Sequence, residues 1–179
     1  MEQIFDSFLL PKGQFTPLMW AAYQGHTRVV EHLIGCGAQV DAIDEHGITS
    51  LSWAAGRNHV EIVRMLLTAG ASPNLCDKNN TTPLIWASRR GKRRRWDTND
   101  RDPLSCSQGH INVVDLLIKY NANLNSIGMK KMTALLAATK NGHTETALRL
   151  LENRTIDIKV QDKVRVRSCF RSAEADQFP

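Results

Sequence analysis

Thr16-Pro17-Leu18-Met19-Trp20-Ala21-Ala22 returns as Thr49-Ser50-Leu51-Ser52-Trp53-Ala54-Ala55, as Thr82-Pro83-Leu84-Ile85-Trp86-Ala87-Ser88 and as Thr133-Ala134-Leu135-Leu136-Ala137-Ala138-Thr139. The first alanines of these phrases stand at 21, 54, 87 and 138, so successive copies are offset by 33, 33 and 51 residues. The last offset exceeds the period by 18, which places one insertion inside the third copy. Five residues after the alanine comes His26, His59, His110 (past the insertion) or His143. An apolar pair and a leucine-rich run follow, as in Val29-Val30 with Leu33-Ile34, Ile62-Val63 with Leu66-Leu67, and Val113-Val114 with Leu116-Leu117. The fourth copy is weaker there, with Thr146-Ala147 and Leu150-Leu151. A fixed period of this length marks stacked supersecondary units, none of which can bury its apolar face alone.

Each unit can be read from its punctuation. Thr16 and Thr82 are good N-caps and Pro17 and Pro83 sit at the first helical position, where a missing N–H costs nothing. A short helix therefore starts at each Thr-Pro. Gly25, Asn58 and Gly142 stand where that helix must stop in a left-handed conformation. A second helix is predicted from Thr27 to Cys36, and likewise from Val60 to Ala69, with the i, i+3, i+4 apolar stripe of a half-buried helix. Gly37, Gly70 and Asn121 close it, and Val40-Asp41, Pro73-Asn74 and Leu124-Asn125 follow. Asp44-Glu45-His46-Gly47 and Asp77-Lys78-Asn79-Asn80 are turn-forming stretches that predict hairpin loops between helix pairs.

A 33-residue helix-turn-helix unit with a T-P-L-H-x-A core resembles the ankyrin repeat. At the histidine of that core the chain has Met19, Ser52, Ile85 and Leu136, and the next position carries Trp20, Trp53 and Trp86. The resemblance implies an all-α ankyrin-repeat solenoid of about four helix-turn-helix repeats linked by hairpin loops. The units are 14–43, 44–76, 77–127 with an irregular insertion at 92–109, and 128–160, between an irregular N-terminal segment 1–13 and a disordered or non-native tail 164–179. The phrases around Trp20, Trp53 and Trp86 further resemble the ankyrin array of the ankyrin repeat-rich membrane-spanning, kinase D-interacting scaffold family. That resemblance implies a slice of a cytosolic array from a membrane-anchored signalling scaffold.

The composition is compatible with this reading. The 179 residues are 42% hydrophobic and 23% charged, enough for a buried core. No apolar run reaches the roughly 18 to 20 residues of a membrane span, and no signal peptide is recognisable. Cys36, Cys76, Cys106 and Cys169 lie far apart without a C-x-x-C pair, which suggests neither zinc nor disulfides and fits a reducing, cytoplasmic setting. The repeated histidines are a solenoid step apart, so they do not converge as metal ligands must; backbone-bridging histidines at the turns are the expectation. No G-x-S-x-G elbow, paired carboxylates or Gly-rich phosphate loop is present, and the reading is non-enzymatic, with no cofactor.

The formal charge of +5 is unevenly placed. The insertion 92–109 holds five basic and three acidic residues, the tail 164–179 three and two, leaving +2 for the rest of the chain. Gly91-Lys92 can be encoded with a splice donor and Pro103 to Gln108 with an acceptor tract, so 92–109 is read as a translated intron, against a functional basic loop or a solvated insertion. The tail is read the same way because Gln161-Asp162-Lys163 opens a fifth repeat that Val164 to Arg167 abandons.

For function, the resemblance implies a non-catalytic protein–protein interaction module, part of a signalling scaffold or adaptor. Ankyrin proteins hold partners with hairpin tips and with the exposed, concave side of the first helix. The matching tip residues here are Glu45, His46, Asn79, Asn80 and Lys130. Along the helices they are Met19, Tyr23, Gln24, Ser52, Arg57, Ile85, Arg89, Arg90 and Lys140. Arg57, Arg89, Arg90 and Lys140 make that side basic, which suits an acidic or phosphorylated partner segment. The tryptophans are expected to form an internal ladder with an outer edge on the concave face. The rival reading is a basic nuclear or nucleic-acid-associated ankyrin protein using Lys92 to Trp96 and the concave arginines, with nucleic acid the less favoured partner.

Overall fold

The computed structural model of the chain describes residues 15–89, 110–153 and 155–158. Among them are eight α-helices and no strand: α1 (Pro17–Gln24), α2 (Thr27–Gly35), α3 (Ser50–Gly56), α4 (Val60–Thr68), α5 (Pro83–Arg89), α6 (Ile111–Lys119), α7 (Ala134–Asn141) and α8 (Thr144–Leu151). The insertion 92–109, the segment 1–13 and the tail 164–179 lie outside the described residues, and so does Arg90.

Threonine starts every first helix of a pair. Thr16 Oγ1 accepts the Met19 N–H at 3.2 Å while the Thr16 N–H reaches Met19 Sδ at 3.5 Å, a capping box closed by a thioether. Thr49 accepts the Ser52 N–H at 3.2 Å, and Thr133 accepts the Leu136 N–H at 3.2 Å. The helix then stops on a left-handed residue, Gly25 (φ 83°), Asn58 (φ 61°) or Gly142 (φ 77°). At Gly25 a larger residue would have to displace the His59 ring of the following pair, since an added Cβ would lie 2.6 Å from it. The second helices end ahead of Gly37, Gly70 and Asn121, all with positive φ.

The helices form two layers. The first helices α1, α3, α5 and α7 pack on one another in sequence, and so do the second helices α2, α4, α6 and α8, each pair also packing internally. One continuous core runs between the layers. It stacks Leu18, Leu51 and Leu84 from the first helices against Val30, Val63, Leu66, Val114, Leu117 and Leu150 from the second. Thr146 intrudes on this pattern: it is fully buried where Ile62 and Val113 stand in earlier copies, and its hydroxyl has no partner.

Three sets of hydrogen bonds fasten neighbouring units. The His59 ring lies 3.2 Å from the Tyr23 carbonyl and the His110 ring 3.3 Å from the Gly56 carbonyl, so these histidines bridge neighbouring units through the backbone. Asp41 accepts the Ser72 N–H at 3.0 Å, Asn74 accepts the Asn123 N–H at 2.7 Å, and Asn125 accepts the Asp157 N–H at 2.7 Å, one repeat position used three times. The hairpins join through Lys78 N–H to His46 C=O at 2.9 Å and Met129 N–H to Asn79 C=O at 2.8 Å.

Candidate interaction surface

The first two hairpins are each built around an aspartate, and Gly128 holds that position in the third. Asp44 Oδ1 accepts the N–H groups of His46 and Ile48, both at 2.8 Å, and Asp77 Oδ1 accepts those of Asn79 and Thr81, both at 2.8 Å. Both aspartates are buried, so the carboxylate is spent on shaping the loop. The turn closes through a left-handed residue, Gly47 (φ 78°) in the first hairpin and Asn80 (φ 56°) in the second. In the third, two lysines take it, Lys130 (φ 61°) and Lys131 (φ 59°). The tips Glu45, His46, Lys78, Asn79, Asn80, Met129, Lys130 and Lys131 are exposed, and Glu45 lies 3.6 Å from the His46 ring.

Beneath the hairpins runs a belt of half-buried aromatic rings. Trp53 Nε1 donates to Asp44 Oδ2 at 3.2 Å, tying the belt to the loop above it. Trp53 and Trp86 lie with ring centres 6.3 Å apart at 33°. Trp20 and Trp53 are separated by intervening rings: Tyr23 stacks on Trp20 at 5.8 Å and meets Trp53 edge-on at 5.2 Å, and Phe15 meets both tryptophans edge-on. The expected tryptophan ladder is therefore a mixed belt, with Phe15 and Tyr23 filling the gap in the first step. The Arg57 guanidinium lies 3.8 Å over the Tyr23 ring and donates to the Tyr23 hydroxyl.

The expected surface residues divide along these lines. Met19, Ser52 and Ile85 are buried, at 0%, 2% and 2% exposure, which corrects their placement on an exposed helix side. Their position is the third of the helix: Met19 Sδ and the Ser52 hydroxyl fold back onto the capping threonine, Ser52 accepting from Thr49 Oγ1 at 3.2 Å, while Ile85 packs towards Gly128 of the next hairpin. The tryptophan one step along takes the outer position. Tyr23 and Arg57 are half-buried, and Gln24, Glu45, His46, Asn79, Asn80, Arg89, Lys130 and Lys140 are exposed. The sequence reading missed Lys78, Met129 and Lys131, although the 33-residue register aligns Lys78 with Glu45, and the insertion-corrected register aligns Met129 with Lys78 and Lys131 with Asn80.

Among the described residues no group of three His, Cys, Asp or Glu side chains could hold a metal ion, and no helix is long and apolar enough to cross a membrane. No curated protein matches the chain. The family model for ankyrin repeats (three copies) matches residues 18–96 and 97–162, most of its length. The chain belongs to the ankyrin-repeat family, whose repeats are generally non-catalytic modules that bind proteins.

Proposed function

We propose that this chain is the partner-recognition part of a signalling scaffold or adaptor, holding a polypeptide against the face formed by its first helices and hairpin tips. The observation that carries the reading is the aromatic belt of Trp20, Tyr23, Trp53 and Trp86, half-buried with Arg57 stacked on it and overhung by the exposed tips. Rigid aromatic side chains beside arginine offer large contact area at small entropic cost, the usual make-up of an interface hot spot. The contact residues in this reading are Tyr23, Gln24, Glu45, His46, Arg57, Asn79, Asn80, Arg89, Lys130 and Lys140. The resemblance of the Trp-bearing phrases to the membrane-spanning, kinase D-interacting scaffold family supports a cytoplasmic site of action at a membrane receptor.

The rival nucleic-acid reading draws on Lys92 to Trp96, which lie outside the described residues. Stacking of bases needs free ring faces, and Trp20 and Tyr23 lie face to face while Phe15 and Tyr23 crowd Trp53, which argues for a polypeptide partner.

Selection of random dodecamer peptides against the whole chain tests the reading. Selected peptides are expected to lose at least tenfold in affinity on Tyr23→Ala or Lys140→Glu and to be indifferent to Glu61→Lys on α4. Peptides that ignore the first two changes and respond to the third would place recognition on the second-helix layer and overturn it.

A further inference from the structure

The two helix layers differ in charge. The first helices α1, α3, α5 and α7 contain no aspartate or glutamate, whereas each second helix carries an acid: Glu31 in α2, Glu61 in α4, Asp115 in α6 and Glu145 in α8. In the second layer the acids are partly answered: Asp115 is gripped by Arg149 through two bonds of 2.7 and 3.2 Å, and Glu61 lies 3.4 Å from Arg64. Among the described residues the charged groups of the first layer are cations, Arg57 and Arg89 at the C-terminal ends of α3 and α5 and Lys140 near that of α7.

The same sign appears at the other end of these helices. Lys78, Lys130 and Lys131 are exposed on two hairpins whose backbones are bonded at Met129 N–H to Asn79 C=O, 2.8 Å. Asp77, the acid of these two hairpins, is buried and holds the N–H groups of Asn79 and Thr81, while the exposed Glu45 of the adjoining hairpin lies 3.6 Å from the His46 ring. The backbone of Lys130 and Lys131 is left-handed, a strained conformation for residues with a Cβ. Met129 beside them is 53% exposed, an apolar contact within the basic patch.

We infer that the partner is an acidic polypeptide segment carrying a large apolar side chain, its carboxylates facing Lys78, Lys130 and Lys131 and its apolar residue set against Met129. This inference rests on the proposed function and names the chemistry of its partner. Positive potential over the second and third hairpin tips and the first-helix ends, where Glu45 on the first hairpin is the one exposed acid among the described tip residues, favours an acidic ligand and repels a basic one.

The experiment uses the whole chain and three probes: the dodecamer selection already described, a fluorescein-labelled random copolymer of glutamate and tyrosine, and a 24-residue oligothymidylate. Enrichment of Glu- and Asp-rich dodecamers is expected, with copolymer binding that weakens at least tenfold in the variant Lys78→Glu, Lys130→Glu, Lys131→Glu and falls with added salt. Circular dichroism of that variant confirms that it folds; should it not, Lys78→Gln with Lys130→Gln is read instead, with a threefold or larger loss expected. Neutral or basic dodecamers that still depend on Tyr23 would overturn the acidic partner and leave the proposed function standing. Dodecamers indifferent to the first-helix face would overturn both. Tighter binding of the oligothymidylate than of the copolymer would assign the basic face to nucleic acid and overturn the inference.

Discussion

Trp53 and Trp86 hold one repeat position and differ by one hydrogen bond. Trp53 donates to Asp44 Oδ2 at 3.2 Å, while the buried Trp86 Nε1 has no partner. Trp53→Phe is therefore expected to cost more stability than Trp86→Phe by about 1 kcal/mol, the net value of a hydrogen bond, in urea unfolding of the two variants. Thr146 presents the opposite case, a buried hydroxyl without a partner in a layer of isoleucine and valine. Thr146→Val keeps the shape and removes the stranded group, so it should stabilise by about 1 kcal/mol; a lower urea midpoint than the parent would show that the hydroxyl is satisfied after all. Ser50 is a third such position, buried with an unpartnered hydroxyl at the first residue of α3, where Pro17 and Pro83 stand in other copies. Thr49 before it is extended (φ −90°, ψ 164°), as a residue preceding proline must be. Ser50→Pro is expected to raise stability by roughly 0.5 kcal/mol through the unfolded chain.

At the scale of the element, the fastening between units decides which substitutions spread. Gly25 ends α1 at φ 83° and lies against the His59 ring that bridges to the next pair. Gly25→Ala adds left-handed strain, about 1 to 2 kcal/mol, and pushes on that histidine, so loss of exchange protection should extend from the α1–α2 turn to the start of α4. Protection lost only at the turn would show the histidine to be a passive neighbour. The helix starts, stops and left-handed positions of these elements were legible in the sequence, because Thr, Pro, Gly and Asn each act through their own backbone. The rotation of α1, α3 and α5 was not. One residue along a helix is about 100°, and Met19 and Ser52 turn back onto the cap while Ile85 is covered by the next hairpin, geometry that apolar periodicity does not encode. The Asp41, Asn74 and Asn125 ladder was visible as a recurring pattern, but its partners lie in the next unit, and a pattern does not name them.

For the whole molecule, a 33-residue period settles the architecture, since every unit repeats the same statement and the insertion shifts only one offset. The end units show what stacking contributes: Val29 is 48% exposed in α2 where Ile62 and Val113 are buried, and Leu151 is 46% exposed in α8 where Leu67 is buried. Much less of the candidate surface was legible. Lys78, Met129 and Lys131 become neighbours only once hairpins are joined through their backbones, and the charge difference between layers exists only when helices are sorted into layers. The most direct test of partner recognition by the first-helix face is hydrogen exchange of the whole chain with and without a selected peptide. Added protection at the hairpin tips around His46, Asn79 and Lys130 and at the exposed ends of α1, α3, α5 and α7 is the expected result; protection confined to α2, α4, α6 and α8 would contradict it.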